Sequence, residues 1–158
     1  MDRSLIDRFE ADADVPARAI EGLTKQDLLA VPVPGKWSIQ QLIVHLMDSH
    51  VSMAWRMRKI IAENNPLLTA YDENAFVKHL HYEQTDAKTA AEVFRLVQRM
   101  TANLLRQLPD DAFERTGIHS ENGKITLASL LPAYIKHVEH HMKFLRDKRA
   151  ALGKPLKW

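Results

Sequence analysis

Hydrophobic side chains recur every three or four residues in four segments of the chain, a pattern that predicts four amphipathic helices. The predicted helices span about residues 3–23, 38–63, 86–108 and 126–149. Pro16 is expected to kink or interrupt the first helix, and Pro132 is expected to bend the last. Ser38 is followed three residues later by Gln41, the sequence form of a capping box, and Thr126 can cap the fourth helix.

The sequence predicts an all-α fold, a four-helix bundle. Strand signals are weak, because no β-branched alternating run of useful length lies between the helices. Turns are expected at residues 31–35 (VPVPG) and at Asn122-Gly123. The connection at residues 66–85 is long for a bundle, which makes it a candidate lid over a site. The predicted core stripe of the third helix is Val93, Phe94, Val97, Met100, Leu104 and Leu105.

The length of 158 residues predicts one domain, residues 1–158, because it allows one large core and is short for two. No stretch approaches the roughly 18 uninterrupted apolar residues of a membrane span, and the first residues lack the apolar run of a secretory signal. We therefore expect no membrane partner and a cytoplasmic location. The net charge is +2 and the basic residues are scattered, apart from the tail at residues 146–158, so nucleic acid is not an expected partner.

The chain has no cysteine, which excludes disulfides, a thiolate nucleophile of its own and every zinc site that needs sulfur. A metal ion would have to be held by histidine and carboxylate side chains. His137 and His141 are four residues apart on the predicted fourth helix, so both project from one face and can converge on one ion. His140 points elsewhere. On the second helix, His45 lies at the border of the apolar stripe.

The pattern alone leaves two interpretations of these histidines open. Each can be a boundary residue that finds a hydrogen-bond partner near the core. Alternatively, His45 faces His137 and His141 across the bundle and the three share a metal ion, since bundle cores assemble such sites from facing helices. Asp48 or Glu139 could orient a ligand ring, although both acids are as well explained as solvated charges.

A site of three histidines would leave at least one coordination position open, as catalytic metal sites do. Imidazole suits zinc, nickel, copper and iron, so the pattern does not determine the ion; a divalent ion, zinc or nickel, is expected.

Three stretches resemble the DinB/YfiT-like superfamily and occur in the same order: PVPGKWSIQQLIVHLMDSH, NPLLTAYDENAF and YIKHVEHHMKFL. The resemblance implies an up-down-down-up four-helix bundle in which one histidine of the second helix and two of the last bind a divalent ion. Carried over to this chain, those ligands are His45, His137 and His141. One position departs from the pattern, because Phe144 stands where YfiT-like chains commonly have a further histidine.

Members of that superfamily include transferases and an isomerase that use bacillithiol or mycothiol, and many that carry the description of metal-dependent hydrolase. The resemblance therefore implies an enzyme acting on a small-molecule substrate, either a low-molecular-weight-thiol S-transferase with the thiol as co-substrate, or a hydrolase. An open histidine site fits both, because metal coordination favours a thiolate as well as a hydroxide nucleophile.

Two further residues are candidate cofactor-binding residues. Arg56 follows His45 on the same face, nearly three turns on, where it could bind a carboxylate or the acidic part of a thiol cofactor. Tyr134, one turn before His137, can border the same pocket. The alternatives are an exposed salt bridge for Arg56 and a core position for Tyr134.

Two other classes of function stay open. The protein can be a non-catalytic bundle that binds metal for stability or sensing. It can also be an interaction module without metal, in which apolar helix faces form a homodimer. A homodimer is expected and is compatible with each of these functions.

Overall fold

The computed structural model describes residues 2–32 and 35–158. Residues 33 and 34, part of the predicted VPVPG turn, lie outside the described residues. The described α-helices are Ser4–Ala11 (α1), Val15–Ala19 (α2), Lys25–Leu29 (α3), Ile39–Ala62 (α4), Glu73–His79 (α5), Ala87–Arg106 (α6) and Leu127–Ala151 (α7). The described strands are Leu67–Leu68 (β1), Thr116–His119 (β2) and Gly123–Thr126 (β3), and a 3₁₀ helix spans Asp110–Glu114.

The predicted four-helix bundle is confirmed and consists of α1, α4, α6 and α7. Helix α4 packs against both α6 and α7, and α1 packs against the same two helices. Pro16 lies in the first turn of α2, so it interrupts the first predicted helix and divides it into α1 and α2. The packing of α4 on α7 is the feature that matters for the site, because these two helices carry the candidate metal ligands.

Both long helices of the site begin at the predicted caps. The Ser38 hydroxyl accepts a hydrogen bond from the Gln41 backbone N–H at 3.1 Å, and the Gln41 side chain accepts one from the Ser38 N–H at 2.9 Å. Thr126 forms an equivalent box with Ser129 at the start of α7. Each cap contributes about 1 kcal/mol of stability and fixes where its helix starts. Pro132 lies inside α7, as predicted.

The core is divided into two apolar clusters with polar side chains between them along α4. One cluster packs around residues 39–46 of α4, and the other around residues 53–60. Between these two parts of the helix lie Ser49 and His50, both buried. His45, one of the candidate metal ligands, lies one turn before Ser49 on α4 and is also buried.

Helix α6 departs from its predicted stripe. Met100 is 62% exposed, whereas Gln98 and Thr101 are buried. The Gln98 side-chain NH₂ donates a hydrogen bond to the backbone carbonyl of Phe9, whereas its Oε1 atom is buried without a partner among the described residues. The buried face is otherwise built mostly from small side chains, including Ala90 and others of the first turns, so α6 can approach its neighbours closely.

The structure contains a small three-stranded sheet that the sequence did not predict. Its strands lie in the connections between bundle helices, β1 after α4 and the other two before α7. Strand β2 is central, paired in parallel with β1 and antiparallel with β3. At Gly117 a Cβ atom would lie 2.8 Å from Leu68 Cδ1, so a larger residue there would displace the Leu68 side chain. The predicted Asn122-Gly123 turn connects β2 to β3. None of the described helices is both long enough and apolar enough to cross a membrane.

Candidate metal centre

Three histidine rings from two neighbouring helices meet inside the bundle. The Nε2 atom of His45 on α4 lies 3.4 Å from Nε2 of His137 and 3.2 Å from Nε2 of His141, both on α7. The Nε2 atoms of His137 and His141 are 3.1 Å apart, as their position on one helix face allows. The structure therefore brings together, around one point, the three residues that the sequence singled out; we call them the triad.

The spacing of the triad fits a metal ion. Nitrogen ligands about 2.0–2.1 Å from a tetrahedral ion stand roughly 3.3 Å from one another. Without an ion, three neutral rings that direct Nε2 at one another cannot all be satisfied, because at least two of them present the same group, N–H or lone pair. The triad could thus hold a divalent ion. That it does so remains a prediction.

Burial keeps the triad rings neutral. It lowers the pKa of His45 and of His137 to about 4 and that of His141 to about 3, and the charges of neighbouring histidines lower these pKa values further. Neutral imidazole is the form that donates a lone pair to a metal ion. The environment therefore favours the ligating form at neutral pH.

Packing holds the ligand rings in place. The Trp37 ring lies against His45, with ring centroids 4.9 Å apart. All three Nδ1 atoms of the triad are buried without a hydrogen-bond partner among the described residues. Asp48 instead accepts a hydrogen bond from the Tyr82 hydroxyl at 2.5 Å, and Glu139 pairs with Arg8 at the surface. Neither acid orients a triad ring.

Glu73 brings a carboxylate to the edge of the triad. Its Oε2 atom lies 3.7 Å from Nε2 of His45, and its side chain is half exposed. Glu73 is the first residue of α5, which Asp72 caps by accepting hydrogen bonds from two backbone N–H groups of the first turn. The connection at residues 66–85, predicted as a candidate lid, therefore contains β1 and α5. It places the Glu73 carboxylate beside the triad.

A cavity of about 600 Å³ opens beside the triad, and we call it the first cavity. His45, His137 and Glu73 line it, together with Arg56 and Tyr134. The Arg56 guanidinium donates hydrogen bonds to the Tyr134 hydroxyl at 3.1 Å and to a backbone carbonyl at 2.6 Å. It forms no ion pair with a carboxylate of the described part of the chain. Arg56 and Tyr134 are thus placed at the cavity, while their binding of a cofactor remains a prediction.

His119 also lines the first cavity, although sequence analysis left it outside the site. Its Nδ1 atom accepts hydrogen bonds from the backbone N–H groups of Glu121 and Asn122, at 3.3 and 3.4 Å. The ring proton therefore resides on Nε2. Burial, and secondarily the charge of Arg56, lower the pKa of His119. The available sequence signal was weak: a histidine three residues before the Asn122-Gly123 turn.

The remaining histidines contribute no ligand atom to the triad, although the His140 ring lies edge-on to that of His141, with centroids 5.4 Å apart. His50 is fully buried, with Nδ1 placed 3.2 Å from the carbonyl oxygen of Leu46. His79 and His81 are exposed. His140 is also exposed, as the helical geometry of α7 predicts, and it contributes no ligand atom to the triad.

Comparison with known proteins identifies the family of the chain. A family model for the DinB superfamily matches residues 8–145. The "Putative metal-dependent hydrolase YfiT" of Bacillus subtilis is 33% identical over 89% of this chain and 81% of its own length. A relative with the same description from Oceanobacillus iheyensis is 31% identical over 68% of this chain and 62% of its own.

Solved structures extend the comparison to the fold. The structure of Bacillus subtilis YfiT, described as having an unusual four-helix bundle topology, superposes with a TM-score of 0.85. That superposition covers 95% of this chain and 86% of YfiT, at 27% identity. A mycothiol-dependent maleylpyruvate isomerase superposes with a TM-score of 0.68 at 11% identity, over 88% of this chain and 58% of the isomerase, a likeness of fold alone.

Proposed function

The chain belongs to the DinB superfamily, and on that premise we propose that it is a metal-dependent hydrolase of a small-molecule substrate. His45, His137 and His141 hold the divalent ion, which we take to be zinc or nickel. The observation that carries the proposal is the mutual approach of their three Nε2 atoms to 3.1–3.4 Å beside a cavity large enough for a small substrate.

The residues around the triad have distinct roles in this proposal. An ion in that position supplies Lewis-acid polarisation and lowers the pKa of a coordinated protic group. The Oε2 atom of Glu73 accepts the proton that the nucleophile loses, because it is the carboxylate nearest His45. Arg56 binds an acidic group of the substrate through its free N–H groups, while its bond to Tyr134 fixes the guanidinium plane.

In this proposal His119, the last residue of β2, donates a hydrogen bond to the substrate in the first cavity. Two backbone amides hold its Nδ1 as an acceptor, so its Nε2–H is the group left to donate a hydrogen bond to substrate. Such a donor stabilises negative charge that develops on a substrate oxygen.

The metal site is tested by analysing untagged protein for bound metal. We expect stoichiometric zinc or nickel in the wild type and its loss in His141→Ala. The matched control is His140→Ala, which removes the neighbouring exposed histidine of α7 and should leave the metal content unchanged. Equal metal in both variants, or none in the wild type, refutes the site. Hydrolysis is then assayed with ester and amide panels, comparing reconstituted with metal-free protein.

A thiol S-transferase is the second candidate. The supporting observation is a further cavity on the other side of Glu73 and His141, which would let two substrates approach the triad. The protein has no cysteine, so the thiol must come from a co-substrate. Assays with electrophiles and bacillithiol, mycothiol or glutathione separate the candidates, since a hydrolase needs no thiol. A non-catalytic metal-binding bundle predicts no turnover above metal-free protein in either assay.

We also retain the homodimer as a proposal. Val51 and Trp55 are exposed one turn apart on α4, and Leu96 and Met100 are exposed one turn apart on α6. Exposed apolar side chains of this size often mark contact surfaces. Sedimentation analysis of the wild type measures whether the protein is a dimer. The same measurement on Trp55→Glu shows whether the exposed apolar residues of α4 form the dimer contact.

A further inference from the structure

A second cavity, of about 460 Å³, also reaches the triad; it is lined by His141, whereas the first is lined by His45 and His137. We propose that it binds a carboxylate-bearing apolar substrate, with Lys148 pairing the carboxylate and the reactive end at Glu73 and His141. The proposal rests on the proposed function and specifies its substrate class. Glu73 lines both cavities and stands between them.

Lys148 has a largely buried side chain, and its ammonium group reaches the second cavity without a partner in the described part of the chain. Its side chain is only 5% exposed, yet no carboxylate lies within ion-pairing distance and it donates no hydrogen bond to the described residues. Burial lowers the pKa of Lys148, and the nearby charge of Lys36 lowers it further. Asp147 lines the same cavity and opposes this effect, but it stays beyond ion-pairing distance.

Two neighbouring cations, unlike Lys148, do have partners. Lys154, close in sequence, pairs with Asp27 at 2.6 Å. Arg149, as buried as Lys148, donates hydrogen bonds to three backbone carbonyls. An ammonium group on a mostly buried side chain is only partly hydrated, so a carboxylate that reached it in the cavity would gain a charge-assisted contact. The anion that Lys148 lacks is therefore expected to arrive with the substrate.

Helix geometry sets the backbone spacing between Lys148 and His141, which line the second cavity. Lys148 follows His141 by seven residues, which is two turns of α7 on the same face, or about 10 Å. Phe144 lies between them on that face, and Trp37 and Leu42 complete the apolar wall. The cavity thus has Lys148 at one end, an apolar wall in the middle and the triad at the other end, and Lys36, Asn74, His140 and Asp147 also line it. A carboxylate joined to a reactive group by a short apolar spacer matches the arrangement of Lys148, the apolar wall and the triad.

The cavity can be tested without metal, using 4-phenylbutyrate as a probe on chelator-treated protein. The readout is the indole N–H signal of Trp37 in NMR, assigned with Trp37→Phe. We expect saturable binding to the wild type at millimolar concentration and a loss of affinity of about ten-fold or more in Lys148→Met, the effect of removing one charge-assisted contact. The cationic analogue 4-phenylbutylamine should not bind in that range.

Two controls make the result specific. Lys143→Met removes an exposed cation of the same helix and should bind the probe like the wild type, and Lys148→Arg should retain most of the affinity. The proposal is overturned if the wild type does not bind 4-phenylbutyrate, if Lys148→Met binds it equally well, or if the amine binds as tightly as the acid. Because no ion is present, these outcomes are independent of whether the triad binds metal.

Discussion

The carboxylate of Glu73 lies 3.7 Å from Nε2 of His45, although 28 positions separate the two residues in the sequence. α5 brings the acid there, and the Asp72 cap fixes where that helix begins. A carboxylate in this position can act on a group that approaches the triad from either cavity. Its contribution can be separated from metal binding by a substitution that keeps its shape.

Glu73→Gln should lower hydrolytic turnover by about 10²–10⁴-fold, because the amide cannot accept a proton. Metal content should stay stoichiometric, since the three histidine ligands are intact. Steady-state kinetics with metal analysis of the same preparation measures both quantities. Glu83→Gln, on the same connection, is the control and should behave like the wild type. Loss of metal in Glu73→Gln would instead make Glu73 a ligand.

Metal binding to the triad should stabilise the fold. A ligand at 100 times its Kd adds about 2.7 kcal/mol to the free energy of unfolding, which corresponds to a rise in Tm of roughly 5–10 °C for a chain of this size. Thermal unfolding with and without added zinc or nickel measures the shift. His45→Ala should abolish it, whereas an unchanged shift in that variant would place the ion elsewhere.

Stability should fall as the pH drops from 7 to 5, partly because of His50. Burial lowers its pKa to about 3 in the folded protein, while the unfolded chain binds a proton near pH 6.5. The unfolded state therefore gains the proton first, and His50 alone costs about 2 kcal/mol over this range. The loss continues until the pH reaches the folded pKa.

His50→Leu should remove that part of the pH dependence, as urea denaturation of metal-free protein at pH 7 and pH 5 can show. His79→Gln changes an exposed histidine and should leave the slope as in the wild type. If His50→Leu has the wild-type slope, the folded protein protonates His50 without cost, and its assignment as a buried neutral ring is wrong.

Lys148→Met should raise the Tm of metal-free protein. The substitution removes an unpaired buried charge and keeps the length of the side chain, which we expect to stabilise the fold by about 1 kcal/mol, or roughly 2–4 °C. Differential scanning calorimetry with Lys143→Met as the exposed control gives the comparison. A lower Tm would show that the ammonium group contributes to stability, contrary to its role as a ligand-binding group.

The parts of this molecule that the sequence predicted are encoded locally. Ser38 and Thr126 are capping residues whose partners lie three positions away, so both helices of the site could be placed from short segments. Helical periodicity then oriented His137 and His141 together. The family resemblance supplied the remaining step, that His45 faces them, because helix packing cannot be read from one segment.

The parts that were missed depend on tertiary contacts. The strands are two to four residues long, too short to show alternation, and the pairing of β1 with β2 joins segments some 50 positions apart. His119 is placed by that pairing, so its sequence neighbours give little indication of the site. On α6 the polar Gln98 is buried, whereas Met100 is not, and the Gln98 NH₂ donates to a backbone carbonyl of α1. Periodicity of apolar residues cannot anticipate such a contact.

Because α4 and α7 are far apart in sequence, metal binding at the triad would also affect the stability of the fold. His45 and His137 are separated by 92 residues, so an ion held between them would cross-link most of the chain into one loop. The chain has no disulfide, so that coordination would add a cross-link that the packed core alone does not supply, and the loop it closes would reduce the entropy of the unfolded chain. Metal binding at the triad would then stabilise the fold as well as supply the reactive ion.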